Sequence, residues 1–219
     1  MLETRRRASS TVESGFTLVE LLVAMLVFSI FLAIMITAVI GITRASSRAQ
    51  LLARSASSVL AVFESLDRQI RYANAINFPG ASASGARYVE FRTGADSSYS
   101  GVSTCTQWRF VPSTKVIQTR QWIDSASAVP SPWSTKITTV VDVGGSNYPF
   151  KMLPATISGS AMQQLVLSVS SGTDLINPGA AISSTFVARN SSILSASNSN
   201  SVVAGVSDTP VCTFSGSRP

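Results

Sequence analysis

The stretch that decides the fold is Ser14-Gly15-Phe16-Thr17-Leu18-Val19-Glu20, which leads directly into an uncharged run from Leu21 to Thr43. As a helix rising 1.5 Å per residue, that run would be about 34 Å long, which is enough to cross a bilayer. Glu20 lies at the start of the run. An ionised side chain in hydrocarbon costs at least a few kcal/mol, so this acid either reaches interfacial water or has a functional partner.

The apolar run is too long for an ordinary secretory signal, whose apolar core has about 7–15 residues before a small-x-small cleavage site. Arg44 and Arg48 follow the run at once, and no convincing cleavage site of that kind lies before them. We therefore expect a retained membrane anchor. Arginines flank the anchor on both sides, Arg5–Arg7 before it and Arg54 after it, so charge alone does not give its orientation.

Beyond Thr43 the sequence predicts that the same helix continues as an amphipathic element. Apolar residues recur there at alternating spacings of three and four. They are Ile42, Ala45, Ala49, Leu52, Ala56, Val59, Phe63, Leu66, Ile70 and Ala73. No proline occurs before Pro79-Gly80, so we expect a helix of roughly 60 residues that ends at Phe78. Its apolar stripe needs a partner, either a β domain of the same chain, which we favour, or a second helix in a coiled coil.

Residues 79–219 predict a β-rich domain with Ser-rich loops, so the expected fold class is α+β. The predicted strands are 87–92, 106–111, 115–122, 137–143, 164–170 and 182–188. The segment Pro112-Ser113-Thr114 would be a hairpin turn, and we expect the Ser-rich stretch 190–200 to be a poorly ordered loop. We interpret the large aromatic residues as core or sheet-edge cover rather than as a ligand site. They are Phe91, Trp108, Phe110, Trp122, Trp133 and Phe186.

Composition removes several classes of function. The chain has no histidine, which excludes Ser-His-Asp catalysis, histidine-bearing metal sites and imidazole proton transfer. The acidic residues of the β region are isolated along the sequence, so no spacing proposes a pair of catalytic carboxylates. We expect no enzyme activity, no metal and no cofactor. The net charge of +6 contains no long run of like charges and indicates no dedicated polybasic patch.

Two cysteines, Cys105 and Cys212, lie in the β region. They lack CxxC spacing and cannot build a four-ligand zinc site without acidic help. In an oxidising compartment we expect them to form a disulfide. It would close a loop of about 107 residues, which the chain-entropy description values at about 4–5 kcal/mol. The alternative is a pair of buried, unbridged thiols.

The string Gly15 to Ala24, Gly-Phe-Thr-Leu-Val-Glu-Leu-Leu-Val-Ala, resembles the processing site of a type IV prepilin. The resemblance makes Gly15 the last leader residue and Phe16 the first mature residue. It implies that a membrane aspartyl peptidase cuts between them at the cytoplasmic face and methylates the freed amine of Phe16. It also implies that Glu20 pairs with the first residue of a neighbouring subunit and sets the register between stacked helices.

The resemblance implies a pilin-like fold, in which one long N-terminal helix packs on an antiparallel β-sheet domain. Its segments would be a cleaved leader, 1–15, a transmembrane and assembly half of the helix, 16–43, an amphipathic half, 44–78, and a globular head, 79–219. The head would lie outside the cytoplasm, in the periplasm or at the cell surface. The implied partners are prepilin peptidase, the membrane, and other pilins or pseudopilins bound through the helix.

The order of elements resembles the PilW/PulJ-like branch of minor pilins. We therefore expect a minor pilin that is built into a type IV pilus and initiates or caps it. The near alternative is a pseudopilin of a type II secretion system, which uses the same anchor. A less favoured alternative is a subunit that binds DNA or a host surface. That function would need an exposed cluster drawn from Arg87, Arg92, Arg109, Lys115, Arg120 and Lys136.

Overall fold

The computed structural model describes residues 17–145, 148–172, 178–203 and 205–214. Within these residues the chain has one long α-helix followed by nine β-strands in two antiparallel sheets. This architecture confirms the predicted α+β class. The chain divides into two compact units, residues 1–50 and 51–219, and the boundary falls within the helix.

Helix α1 covers Leu18–Arg71. The part of the helix that lies in the first unit has the apolar composition of a membrane-spanning segment. The hydroxyl of Thr17 accepts a hydrogen bond from the Glu20 N–H at 3.3 Å and caps the first turn. The apolar side chains that follow are exposed, for example 63 % for Phe28. Within the described residues, this helix is long and apolar enough to cross a membrane.

Three hydroxyls interrupt the apolar surface of this first unit. Ser29, Thr37 and Thr43 each donate to the backbone carbonyl four residues earlier, at 2.7–2.8 Å. A hydroxyl that is satisfied within its own helix does not need water. These residues are therefore compatible with a surface that contacts lipid, where every unpaired polar group costs several kcal/mol.

The C-terminal part of α1 belongs to the second unit and packs on the β-sheets. Val59, Val62, Phe63, Leu66 and Ile70 are buried in the main hydrophobic core together with strand residues. Burying a side chain of this size contributes about 1.5–3 kcal/mol. The prediction that the stripe packs on the chain's own β domain is therefore confirmed from Val59 onward.

The earlier positions of the same stripe are not covered in this way. Ile42, Ala45, Ala49 and Leu52 are exposed, and Ala56 is half-buried. The buried part of the stripe therefore begins at Val59, and the apolar side chains at the earlier positions are open to solvent or only half-buried.

The prediction that the helix continues to Phe78 is wrong, because α1 ends at Arg71 and strand β1 follows at Ala73–Ile76. Both ends of β1 are buried, and the strand pairs with a later strand. The Arg71 carbonyl accepts a hydrogen bond from the Arg189 N–H at 3.2 Å. The helix therefore ends where contacts with distant segments replace its own hydrogen bonds, which local periodicity does not report.

The first sheet has the order β1-β3-β4-β5-β6, with the short strand β2 also paired to β3. Its further strands are β2 Gly80–Ala81, β3 Arg87–Thr93, β4 Thr104–Val111, β5 Val116–Ile123 and β6 Ser134–Ile137. The second sheet has the order β7-β8-β9. Its strands are β7 Phe150–Leu153, β8 Gln164–Gly172 and β9 Pro178–Val187. Every pairing between these strands is antiparallel.

Five of the six predicted strands are confirmed, and so is the β4–β5 hairpin. Lys115 closes the hairpin turn with a positive φ of 55° and donates its N–H to the Pro112 carbonyl. The prediction of a strand at 137–143 is wrong, since β6 ends at Ile137. The next residues connect the sheets, because Val140 donates its N–H to the Lys115 carbonyl at 2.9 Å and forms a bridge with Ser171 of β8.

Most of the large aromatic residues lie in the core, as predicted. Phe91, Trp108 and Phe110 are fully buried, and Phe186 packs on Phe63 with the ring centroids 5.6 Å apart. Trp122 is also buried, in a second cluster around the two cysteines.

The prediction of low order in the Ser-rich stretch 190–200 is wrong. Ser191 and Ser197 are buried, and the Ser191 hydroxyl accepts a hydrogen bond from the Gln163 N–H at 2.8 Å. The Asn198 side chain bonds both the N–H and the carbonyl of Ala155, at 2.8 and 2.9 Å. Polar residues here hold the chain in place through hydrogen bonds, a role that composition alone does not distinguish from disorder.

Candidate functional site

Glu20 lies in the first turn of α1, where the helix dipole favours a negative charge. Its side chain is exposed and makes no ion pair with another residue in the described ranges. The predicted cleavage residues Gly15 and Phe16 lie outside the described residues. The described part of the site therefore consists of one carboxylate at the start of an exposed apolar helix.

This arrangement suits recognition of a cation on another chain. The surface that follows Glu20 is uncharged as far as Thr43. If another apolar helix packed on it, water would leave the carboxylate, which would then need a positive partner.

The family model described as the prokaryotic N-terminal methylation motif matches residues 11–36. This match indicates a type IV prepilin-like protein. No curated protein and no solved structure matches it.

The matched residues of this prepilin-like chain include the proposed cleavage site, Glu20 and the first part of the apolar helix. The motif points to a structural protein of the pilin class rather than to an enzyme. It also implies processing by a peptidase and assembly with other pilins in the membrane. Together with the exposed apolar helix, it fits membrane anchoring followed by incorporation into a pilus.

In the head of the prepilin-like chain, Cys105 and Cys212 form a disulfide, as predicted. Cys105 lies on β4 beside Trp122, its partner on β5. Ala128, Val211 and Phe214 pack around this pair and the bridge. The disulfide therefore ties the C-terminal segment to the sheet face opposite the main core.

Sequence reasoning missed a buried polar network beneath this C-terminal segment. Glu90 on β3 is 1 % exposed and accepts hydrogen bonds from Gln107 at 2.8 Å and Asn77 at 3.2 Å. Asn77 in turn accepts the N–H of Val211 at 3.0 Å. A buried carboxylate is tolerated only with such partners. The strand alternation places Glu90 and Gln107 on one face, but only the strand register shows that they meet.

The basic cluster that surface binding would need forms only in part. Arg87 donates two hydrogen bonds to the carboxylate of Asp142, at 2.8 and 3.0 Å. Arg92 forms an ion pair with Asp124 at 2.7 Å. Two of the six candidate cations are therefore neutralised by acids of the head.

Arg109 and Arg120 do come together, on the ring of Trp133. Their guanidinium carbons lie 3.8 and 4.1 Å from the ring centroid, within the range of a cation–π interaction. Burial lowers the pKa of both groups, and the charge of Arg109 lowers the pKa of Arg120 further. Nothing in the comparisons supports nucleic acid as a partner. The half-buried Trp133 ring therefore holds together two side chains from the interior strands β4 and β5.

Proposed function

We propose that this chain is a minor pilin that is assembled into a type IV pilus and initiates or caps it. The observation that carries the proposal is the methylation motif at residues 11–36, which is continuous with an exposed apolar helix. In this proposal prepilin peptidase cleaves after Gly15 and methylates the amine of Phe16. The leader is 1–15, the membrane-spanning half of the helix is 16–43, and the head lies outside the cytoplasm.

Glu20 sets the register of the stack in this proposal. A free α-amine has a pKa near 8 and is cationic at neutral pH, as a methylated amine also is. When apolar helices pack, both this amine and the Glu20 carboxylate leave water. A misaligned neighbour would leave one of them unpaired, at a cost of a few kcal/mol. The pair therefore selects one axial position, and the exposed apolar side chains supply the packing.

Features of the head and the helix support an accessory subunit outside the cytoplasm. The Cys105–Cys212 bridge is of the kind that persists in oxidising compartments. The apolar run of the helix contains Gly41 but no proline, whereas many abundant shaft pilins carry a proline there. A pseudopilin of a type II secretion system would use the same anchor and the same Glu20 pair.

Substituting Glu20→Gln tests the register pair, because it removes the charge and keeps the size. We expect normal cleavage, but at least about a tenfold loss of the chain from sheared filaments, measured by quantitative mass spectrometry of head peptides. Glu64→Gln is the matched control, since Glu64 is an exposed acid further along the same helix.

Equal incorporation of the wild-type and E20Q chains would contradict the register pair. An equal loss of incorporation in E20Q and E64Q would show that removing any negative charge from the helix causes the loss, and that the register pair does not. Recovery of the wild-type chain with secretion components, and not with sheared pili, would favour the pseudopilin.

A further inference from the structure

The head contains a polar groove that the proposed assembly function does not use. Its volume is about 640 Å³, and it lies beside the last turns of α1, the loop before β4 and strands β3, β4 and β5 of the first sheet. It is lined by seven serines and threonines, two tyrosines, two glutamines and one arginine. Every one of these side chains carries a hydrogen-bond donor or acceptor, and their carbon atoms supply the apolar part of the lining.

Arg68 is the cation of this groove. It lies on the last turn of α1, is exposed, and has no ion pair or hydrogen bond among the described residues. One turn further on, Arg71 pairs with Asp67, and Arg87 and Arg92 pair with acids elsewhere in the head. The guanidinium of Arg68 is thus available for an external anion.

Two tyrosines stand at the groove with their rings open to solvent. Tyr99 is fully exposed and Tyr72 is 53 % exposed. Neither ring packs on another aromatic ring in the part of the chain that is described. An amphipathic ring of this kind can stack on the C–H face of a sugar while its hydroxyl stays in water.

The groove is held in shape by hydrogen bonds from behind. The Trp108 indole N–H donates to the Gln69 side-chain oxygen at 2.9 Å, and the Gln121 amide donates to the Thr106 hydroxyl at 3.2 Å. Both glutamines are oriented by these bonds. The amide NH₂ of Gln69 and the side-chain oxygen of Gln121 keep hydrogen-bonding capacity for a ligand.

We propose that this groove binds an acidic saccharide. The ligand hydroxyls bond the serines, threonines and glutamines, one carboxylate pairs with Arg68, and a sugar ring stacks on Tyr72 or Tyr99. A nucleic acid is a poorer fit, because its affinity comes from neutralising several phosphates and the groove has one cation. An apolar peptide is also a poorer fit, since its pocket would need apolar walls.

The test uses the full mature chain in detergent micelles, titrated calorimetrically with an alginate hexasaccharide, which is an oligomer of uronic acids. We expect measurable binding, weakened about tenfold by Arg68→Gln, the size of a lost charge-assisted hydrogen bond. Tyr99→Ala should weaken it by about three- to tenfold. Lys151→Gln removes one exposed charge from β7 in the second sheet and should leave the affinity unchanged.

Arg68 and Tyr99 are exposed, so unchanged thermal unfolding of these variants will show that folding is not the cause of a loss. Three results would overturn the proposal. They are the absence of binding to the wild-type chain, an equal effect of R68Q and K151Q, and equally strong binding of neutral maltohexaose. Tighter binding of a single-stranded oligonucleotide than of the hexasaccharide would replace it with nucleic-acid recognition.

Discussion

At the scale of single residues, two arginines of the head pair with acids that are distant in the sequence. The Arg87 guanidinium and the Asp142 carboxylate meet across 55 positions, and Asp142 also accepts the Gly144 N–H at 2.9 Å. The hydrogen bonds from Arg87 are the main cause of the lowered pKa of Asp142. This pair fixes the segment after β6 against β3.

Asp142 should therefore make stability depend on pH. Since its pKa is lower in the folded than in the unfolded chain, its contribution is present above about pH 4 and is lost as pH falls further. We expect Asp142→Asn to lower the free energy of unfolding at pH 7 by about 1 kcal/mol or less, because the pair is partly exposed. The difference from wild type should shrink between pH 4 and pH 2 in urea titrations.

Asp96→Asn is the control for this measurement, because Asp96 is exposed and makes no ion pair within the described residues. It should follow the wild-type pH dependence. A D142N curve that stays parallel to wild type down to pH 2 would contradict the role of this pair.

At this scale, some candidate functional residues can be identified from the sequence and others cannot. Glu20 is conspicuous because it is an acid beside a long apolar run. Arg68 has no such signal, since it is one of several arginines on an amphipathic helix. Its availability to a ligand depends on which arginines form ion pairs with acidic side chains, and the fold determines those pairs.

At the scale of elements, α1 changes its environment along its length. The described side chains up to Leu52 are exposed, whereas Val59, Val62, Phe63, Leu66 and Ile70 contribute to the core of the head. Local periodicity predicted this helix because the apolar spacing holds throughout. It could not predict the end at Arg71, where β1 gains a strand partner and the helix gains contacts from the segment after β9.

Leu66 should be a main attachment of α1 to the sheets, since it is fully buried. We expect Leu66→Ala to lower the free energy of unfolding of the head by about 2–5 kcal/mol, through lost burial and the cavity left behind. Leu60→Ala is the matched control, because Leu60 lies on the same helix and is 56 % exposed. Urea unfolding followed by tryptophan fluorescence measures both, and equal effects would contradict this packing.

Strands with regular alternation were predictable, and the irregular ones were not. The β4–β5 hairpin has clear alternation and a turn signal at Pro112. In contrast, Val140 and Val141 are consecutive and both buried, because Val140 donates its N–H to Lys115 in the β4–β5 turn and Val141 donates its N–H to Ser170 of β8. Such a connection resembles a strand in composition but has no continuous partner.

At the scale of the whole molecule, two compact units carry different tasks. The first presents an apolar helix that begins with an acid, and the second is a disulfide-tied β head with a polar groove. The class of protein was predictable, because the decisive signal is a short local string at residues 11–36. The groove was not predictable, since its walls come from a helix, three strands and a loop that only the fold brings together.

The most direct test of the central claim is the mass of the N-terminal peptide of the mature chain. We predict a peptide that begins at Phe16 and carries one methyl group, while Gly15→Leu keeps residues 1–15, since a side chain at the cut obstructs the approach of the peptidase. Gly41→Leu should be processed normally, because Gly41 has open space around it. A native chain that still begins at Met1, or that begins beyond the apolar run, would contradict the account.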